Sequence, residues 1–367
     1  MEQIRMHPDP EQTLLPLLKP FLPYSLPLYR RIQFGRHGSN NAHVWASTAP
    51  ECTNSTDDKK EHGKEAASVC LAAAYIDRSA RPETEAFIFL SWDSPSHNPS
   101  TPCHCSSLLL SLLHRVSEMP FTPLTDEDKA DALSAVLRTD AATASQHHTH
   151  ASASAAAFLS HLDDPDLLKL GTLHERSVRE LKARGCVRLD LPGADFPYFK
   201  YLFLQVAARV IDEQYDDEEL LSRRGLRWGA LRDEDLALVR SRTAIPRTNR
   251  TLRSLPAAAL FPAAASLDDA TAAPVAWAFL GADGSLCSLH VEPDYRGYGL
   301  AKAVARKLFR EGFKSFGDEL GGLAHADVAE NNVSSSAVCL SLGASEGWEV
   351  YWVRLALSNV RAATSKK

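Results

Sequence analysis

Residues 285–303 read SLCSLHVEPDYRGYGLAKA and carry the features that decide the fold. An apolar segment of strand length leads into Arg296-Gly297-Tyr298-Gly299-Leu300-Ala301, where apolar residues with helical spacing begin. Two glycines two residues apart let the backbone approach a ligand closely and leave N–H groups at the helix start pointing outward. Together with the fixed charge of Arg296, this pattern predicts an anion site that favours a pyrophosphate over a single carboxylate.

The flanking segments predict a small mixed sheet around that turn. Residues 275–280 and 285–291 are strands separated by Gly281-Ala282-Asp283-Gly284, which predicts an antiparallel hairpin. After the turn, the pattern predicts a helix, a strand, a second helix and a last strand, at 299–313, 323–328, 332–342 and 348–357. The predicted order is therefore hairpin, helix, strand, helix, strand.

Two familiar nucleotide sites are excluded by particular residues. A dinucleotide-binding turn needs a small third residue where this chain has Lys302, and it follows a strand of a parallel sheet rather than a hairpin. The Gly-Lys-Ser/Thr loop of nucleoside triphosphatases is absent from the sequence.

The segment 275–357 resembles the acyl-CoA-binding core of the GNAT acyltransferase superfamily, whose motif is Arg/Gln-x-x-Gly-x-Gly/Ala. Three residues match that motif: Arg296, Gly299 and Ala301. The strand containing Trp277 and the segment Pro293-Asp294-Tyr295-Arg296 are similar to the glycine N-acyltransferase-like branch. Over residues 1–205 the resemblance implies a degenerate copy of the same fold.

The resemblance implies where CoA would bind. The turn amides that would hold the pyrophosphate are those of Gly297, Tyr298, Gly299, Leu300 and Ala301. The strand end from Leu289 to Val291 would hydrogen-bond the pantetheine and the thioester, with an N–H near Val291 as oxyanion donor. The strand at 323–328 would run parallel to 285–291 and splay from it where the cofactor enters, with Asn332 and Ser335 near the pantetheine arm.

The catalytic groups stay open at the level of sequence. An amine is mostly protonated at neutral pH, so its attack needs a base. With period 2, His290 and Glu292 share one face of the strand and are both candidates, while Asp294, Glu330 or a water chain are the alternatives.

The acid is open as well. In the family a tyrosine four residues before the helix-terminal glycine acts as the acid. This chain has Cys339 there, either as a proton donor or as core packing, and proton release to solvent would also suffice.

The chain as a whole is predicted to be an α/β (α+β) protein of two domains. Residues 1–210 form an N-terminal α/β domain with a flexible Ala/Ser/His insert at 141–157, and 225–360 form the GNAT domain, separated by a solvated acidic run at 212–219. In the first domain the patterns predict a strand at 29–34, a hairpin of 69–75 with 86–92, and helices at 108–116, 125–137 and 167–184.

Composition narrows the partners and the location. Asp and Glu total 46 against 40 Lys and Arg, a net charge of −6 that argues against a nucleic-acid or anionic-membrane surface. Seven cysteines and no legible signal peptide favour the cytoplasm, with the nucleus as an alternative. We expect no metal, because structural zinc takes four ligands and no second ligand pair lies near Cys103-His104-Cys105 in the sequence.

These observations predict an acyl-CoA-dependent N-acyltransferase. It would transfer an acetyl or other acyl group to the primary amine of a small molecule or peptide by direct attack, because no paired Cys/His nucleophile is legible. The alternative is a non-catalytic acyl-CoA-binding or regulatory module. The amine, the acyl length and the oligomeric state are not encoded in any pattern that we can interpret.

Overall fold

The computed structural model describes residues 4–35, 41–47, 70–97, 103–143, 159, 161–191, 193–204, 217–243, 245–264, 272–317, 320 and 322–365, with 137–143 as backbone only. The strands are β1 (Ile4–Met6), β2 (His43–Ser47), β3 (Ala72–Ile76), β4 (Ala86–Leu90), β5 (Leu167–His174), β6 (Tyr198–Phe203), β7 (Leu226–Gly229), β8 (Ala257–Pro262), β9 (Ala276–Leu280), β10 (Leu286–Val291), β11 (Ala324–Ala329) and β12 (Ser345–Ala356). The helices are α1 (Pro10–Thr13), α2 (Leu15–Leu18), α3 (Leu26–Phe34), α4 (Cys105–Ser117), α5 (Asp126–Thr143), α6 (Glu175–Ala183), α7 (Asp217–Arg223), α8 (Leu236–Ser241), α9 (Asn249–Ser254), α10 (Leu300–Gly312), α11 (Val333–Ser341) and α12 (Leu357–Ser365).

The chain divides into two compact units. Unit 1 comprises Met1–Leu124, Ser160–Pro197 and Glu349–Lys367, and unit 2 comprises Thr125–Leu159 and Tyr198–Trp348. Both contain a sheet flanked by helices, so the chain is the mixed α/β protein that the sequence predicts. In the part of the chain described, no helix is long and apolar enough to cross a membrane.

Unit 1 is built on strands in the order β1-β2-β3-β4-β5-β12. Neighbours pair antiparallel except β4 and β5, which are parallel. Helix α4 packs on β1, β2 and β3 because its leucines recur at helical spacing, and Leu109 and Leu113 are fully buried. The predicted hairpin at 69–75 and 86–92 and the predicted helices at 108–116 and 125–137 are confirmed.

Unit 2 contains the antiparallel sheet β10-β9-β8-β7 and the antiparallel pair β6 and β11. Helix α10 covers one face of the four-stranded sheet, where Gly312 lies against Leu280. Trp277 and Phe279 of the same strand point to the other face and pack with residues of α8 and α9, including Leu236 and Leu252. The hairpin, helix, strand, helix, strand order predicted for this region is confirmed.

The two units have the same order of elements. In unit 1 the order is β2, β3, β4, α4, β5, α6, and in unit 2 it is β8, β9, β10, α10, β11, α11. The strand after α6 is β6, which pairs with β11, whereas the strand after α11 is β12, which pairs with β5. The last strand of each unit therefore follows, in the chain, the last helix of the repeated order in the other unit. The repeated order of elements agrees with the predicted second copy of the fold.

Two predicted elements are wrong. Residues 29–34 belong to helix α3, not to a strand; nearly all of its side chains are buried, so no helical period is visible. The predicted helix at 167–184 is strand β5 followed directly by α6, because Glu175 begins the helix without a breaking residue before it.

The domain boundaries also differ from the prediction. The predicted break near residue 210 assigns β6 to the first domain, but β6 belongs to unit 2, while residues 349–365 belong to unit 1. The acidic run is not a solvated linker at its end, since buried Asp217 forms ion pairs with Arg306 and Arg310 of α10. Residues 144–157 of the predicted insert lie outside the described residues, and 141–143 end helix α5.

Candidate functional site

Strands β10 and β11 run parallel but touch at one end only. The bridge described between them joins Ser285 to His325. Beyond it, β10 pairs with β9 and β11 pairs with β6, and no further bridge between β10 and β11 is present among the described residues. The predicted parallel and splayed arrangement of these strands is confirmed. Beyond the bridge, the facing edges of these two strands are not paired with each other in the part of the chain that the structure describes, and we call the space between them the cleft. Strand edges of this kind offer backbone N–H and C=O groups that suit a ligand with amides.

A bulge in β10 adds to the backbone groups at this cleft. Cys287 pairs with Phe279 and His290 with Trp277, so Ser288 and Leu289 together oppose the single residue between those partners. Ser288 has φ 50°, in the left-handed region. A bulge leaves its extra residue outside the ladder. Leu289, which the sequence placed beside the pantetheine, is therefore in the segment where ladder pairing is interrupted.

The glycine turn has the geometry of an anion site. Gly297 and Gly299 have φ +80° and +82°, a region that L side chains rarely adopt, and Gly299 is the N-cap residue of α10. A Cβ added at either glycine would meet nothing within 4 Å. The turn therefore faces open space at the positive end of a helix whose first side chain, Leu300, is buried.

Arg296 and Tyr298 stand on the exposed side of the turn. Arg296 donates from Nε to the carbonyl oxygen of Val291 at 2.9 Å, so its guanidinium also fastens the turn to the strand end. The guanidinium carbon of Arg224 lies 3.5 Å from the ring centroid of Tyr298. Sequence reasoning missed Arg224, which precedes β7 and is brought to the turn by the sheet.

His290 and Glu292 are neighbours, as their period predicted. His290 Nε2 lies 3.7 Å from Glu292 Oε2, and it is buried with no hydrogen-bond partner among the described residues. The imidazole stacks on Trp277 at 4.8 Å between centroids, and Glu292 Oε1 accepts from Arg242 Nε at 2.8 Å. Burial lowers the pKa of His290, an effect that Glu292 partly offsets. The ring is thus neutral at neutral pH and next to a carboxylate that stabilises an added proton.

Cys339 lies on the buried side of α11. Burial raises the pKa of its thiol to about 12, and the nearby Asp327 carboxylate contributes to the rise. A thiol that weakly acidic gives up its proton less readily than an ordinary thiol of pKa about 8.5, which weighs against Cys339 as the acid.

Tyr201 of β6 is an alternative candidate for the proton donor. Its Oη donates to Glu346 Oε2 at 3.1 Å, and it also interacts with Ser336 and Cys339 of α11. The hydrogen bond with Ser336 lowers the pKa of Tyr201, but burial and Glu346 outweigh it, so the pKa is raised. The sequence does not point to this tyrosine, because the acidic run at 212–219 separates its strand from the other predicted site residues.

Asn332 and Ser335 lie at the start of α11. The Asn332 side chain accepts from the Ser335 N–H at 3.1 Å and caps the helix. The same helix exposes two apolar side chains, Val333 and Leu340. Asn332 and Ser335 are therefore neighbours, and their hydrogen bond caps the start of α11.

Buried charged residues stabilise the end of the cleft where β10 and β11 meet. Lys200 Nζ lies 2.6 Å from Asp327 Oδ1 and 3.1 Å from His325 Nδ1, and His325 Nε2 lies 3.0 Å from the carbonyl oxygen of Asp283. Burial raises the pKa of Asp327, but Lys200 and His325 outweigh it and hold that pKa far below its ordinary value. His325 thereby fastens the turn between β9 and β10 to β11, which fixes the point from which the two strands diverge.

Residues 1–201 match the family model described as "Acyl-CoA N-acyltransferase verG N-terminal domain". The chain belongs to this family. The matched region is the part of the chain where the sequence resemblance implied only a degenerate copy, whereas the glycine turn and the cleft lie in the remainder. The description of this family names an acyl-CoA N-acyltransferase, an enzyme whose co-substrate is an acyl-CoA. A search of curated protein sequences gives no match.

Three solved structures are similar to the chain. A Drosophila protein determined by X-ray crystallography has 14% identity and TM-score 0.54, covering 97% of this chain and 99% of its own, which shows a shared fold over the whole length. A tandem GNAT protein from the clavulanic acid biosynthesis pathway has 12% identity and TM-score 0.40, covering 96% and 97%. A putative GNAT-family acetyltransferase from Novosphingobium aromaticivorans has 18% identity and TM-score 0.31, covering 44% and 64%.

Proposed function

We propose that unit 2 transfers an acyl group, most simply acetyl, from CoA to a primary amine of a small molecule or peptide, as in the glycine N-acyltransferase-like branch. The observation that carries the proposal is the cleft between β10 and β11, which opens beside the Gly297–Gly299 turn. A strand edge with a bulge suits the pantetheine amides, and a helix start suits a pyrophosphate. Arg296 and Arg224 add positive charge beside the turn.

The proposed reaction is a direct attack. The amine nitrogen forms a bond to the thioester carbonyl carbon, and a backbone N–H near Val291 stabilises the oxyanion. The C–S bond then breaks and CoA leaves as the thiolate. His290 takes the amine proton, Glu292 stabilises the resulting imidazolium, and the thiolate takes a proton from Tyr201 or from solvent.

A second candidate is an acyl-CoA-binding module without activity. The raised pKa of Cys339, about 12, favours it, because the helix position that carries the acid in the wider family holds a thiol that does not readily donate. Tyr201 favours the enzyme over this candidate, because it supplies a phenol to the same helix from a neighbouring strand.

A CoA-release assay over a panel of amines separates the two. The purified chain is mixed with acetyl-CoA and each amine, free thiol is followed with a chromogenic disulfide, and the N-acetyl product is identified by mass spectrometry. The enzyme gives amine-dependent thiol release matched by product, and His290→Gln lowers the rate. Release that does not depend on the amine is hydrolysis, and acetyl-CoA binding without release in any arm overturns the proposed activity.

A further inference from the structure

Four metal-ligating side chains of unit 1 converge on one point. They come from three segments, namely Cys70 before β3, His97 after β4, and Cys103 with Cys105 at the start of α4. Their ligand atoms all lie within 4.8 Å of one another. The expectation that no second ligand pair lies near Cys103 holds in the sequence but is wrong in space, because the β3–β4 hairpin carries Cys70 and His97 to the helix start.

The distances are those of a tetrahedral zinc site. The Sγ atoms of Cys70, Cys103 and Cys105 are each 3.7 Å from His97 Nε2. With Zn–S bonds of about 2.3 Å and Zn–N bonds of about 2.0 Å, the sulfur-to-nitrogen edge of a regular tetrahedron is about 3.5 Å. All three distances are within about 0.2 Å of that edge.

Hydrogen bonding does not account for the arrangement. One imidazole nitrogen has a single lone pair or a single proton, so it cannot bond to three sulfur atoms at once. A single disulfide would use two of the three thiols and leave the third with the imidazole. A cation at the centre satisfies all four groups together.

We propose that unit 1 holds a structural zinc ion bound by Cys70, His97, Cys103 and Cys105. Three thiolates and one imidazole are a ligand set that selects zinc over magnesium or calcium, and four protein ligands close the site to substrate. The N–H of His104 donates to Cys70 Sγ at 3.2 Å, an outer bond of the kind that orients a ligating sulfur. Cys103 is exposed and Cys105 is buried, so the site lies at the surface, where the ion can enter.

The site occupies a defined place in the repeated topology. In unit 2 the connection from β10 to α10 is the glycine turn, and in unit 1 the corresponding connection from β4 to α4 contains two of the four ligands, His97 and Cys103, and Cys105 is the first residue of α4. Residues 91–104 contain no glycine, whereas the turn of unit 2 has two glycines at positive φ. The zinc ion would instead tie the ends of β3 and β4 to α4, which makes unit 1 the structural copy.

Metal analysis of the full-length chain tests the proposal. Protein that is expressed with zinc in the medium and then desalted should carry one zinc ion per chain, as measured by inductively coupled plasma mass spectrometry. X-ray absorption spectroscopy should show three sulfur neighbours and one nitrogen neighbour around the zinc ion. Cys103→Ser replaces an exposed ligand without opening a core cavity, so it should fold and bind zinc at least about tenfold more weakly. Cys186→Ser is the matched control, because Cys186 is a buried cysteine of unit 1 outside the cluster, and it should keep full zinc content.

Thermal unfolding provides the second readout. A strong chelator should lower the Tm of the wild type, and added zinc should restore it, whereas the Tm of Cys103→Ser should respond weakly to both. Wild type that gains no metal from zinc-supplemented medium and shows no zinc-dependent Tm overturns the proposal. So does full zinc content in Cys103→Ser and His97→Ala, or a count of free thiols that shows a disulfide within the cluster.

Discussion

The proposed mechanism depends most on His290, whose ring stacks on Trp277 and lies beside the carboxylate of Glu292. Because burial lowers the pKa of this imidazole, the ring is the neutral, proton-accepting form over the whole neutral range. A base with that property is active at neutral pH and fails only in acid.

The first prediction concerns the pH profile of kcat/KM. In the wild type the rate should fall with decreasing pH through a pKa below the ordinary histidine value of about 6.5. His290→Gln should lower the rate at pH 7 about 10²-fold and remove that acid limb, with acetyl-CoA affinity unchanged. The loss should shrink at high pH as more of the amine is already neutral.

Glu292→Gln is the companion variant. It removes a charge that raises the pKa of His290, so the acid limb should move to lower pH rather than disappear. If Glu292→Gln abolishes the limb while His290→Gln keeps it, Glu292 is the base. Unchanged profiles in both variants would transfer the role to Asp294, Glu330 or a water chain.

The second prediction concerns Tyr201 as the proton donor. Tyr201→Phe should lower kcat about tenfold or more, with the KM for acetyl-CoA little changed, because the phenol acts on the leaving thiolate. Tyr351→Phe is the control, since Tyr351 also bonds to a glutamate, Glu349 at 2.8 Å, but belongs to unit 1. Equal loss in both variants, or no loss in Tyr201→Phe, would contradict the assignment.

Among individual site residues, the sequence predicts those of the glycine turn and the adjacent His290 and Glu292, but not Arg224 or Tyr201. The first group is contiguous, so local spacing is enough to find it. The second group reaches the site through strand pairing over long separations, which one sequence does not display.

Among the elements, β6 and β11 are held by the buried Lys200–Asp327 pair, whose residues lie directly opposite each other in the register. Both side chains are almost fully buried, so each charge depends on the other for stabilisation. The same pair supports His325 at the closed end of the cleft.

The third prediction is that Lys200→Met costs roughly 3–5 kcal/mol of unfolding free energy at pH 7, because it leaves Asp327 buried without its partner. The pKa of Asp327 is depressed in the folded wild type, so this stabilisation is present above about pH 4 and decreases below it. The deficit of Lys200→Met should therefore shrink as the pH falls and Asp327 becomes neutral.

Denaturant titrations at several pH values measure this effect. Lys182→Met is the matched control, since Lys182 pairs with Asp195 at 2.7 Å on the surface, where loss of a pair costs about 1 kcal/mol or less. A Lys200→Met deficit as small as that of the control, or one that grows in acid, would contradict the account.

Elements with a clear period were predictable, and elements buried on all sides were not. The hairpin of β9 and β10 and helix α10 have alternation or helical spacing and a glycine-marked turn. Helix α3 is buried almost all round, and β5 continues into α6 without a breaking residue, so the sequence pattern predicts both regions wrongly.

For the whole molecule, the notable property is that unit 1 needs the C-terminal segment. Val350, Val353 and Leu355 of β12 are fully buried, and β12 pairs with β5. Helix α12 packs against α4 in the same unit. A division of the chain at one sequence boundary could not predict this, because membership of a strand in a sheet is not local in sequence.

The fourth prediction is that a chain ending at Trp348 loses cooperative folding of unit 1. Amide hydrogen exchange should show lost protection in β4, β5 and α4, while β8, β9 and α10 of unit 2 keep theirs. A chain that lacks only residues 366–367 is the control and should match the wild type. Unchanged protection of β5 in the truncated chain would contradict the assignment of residues 349–367 to unit 1.

The central claim, that the turn at Gly297 and Gly299 binds the pyrophosphate of acyl-CoA, is tested most directly by calorimetric titration with acetyl-CoA. Gly299→Val should abolish measurable binding, because its side chain would enter the open space before the turn, and Arg296→Ala should weaken binding about tenfold, roughly 1.4 kcal/mol. Gly185→Val is the control, with φ +67° and an equally open Cβ position in unit 1, and it should bind as the wild type does. Wild-type affinity in both Gly299→Val and Arg296→Ala would contradict the account.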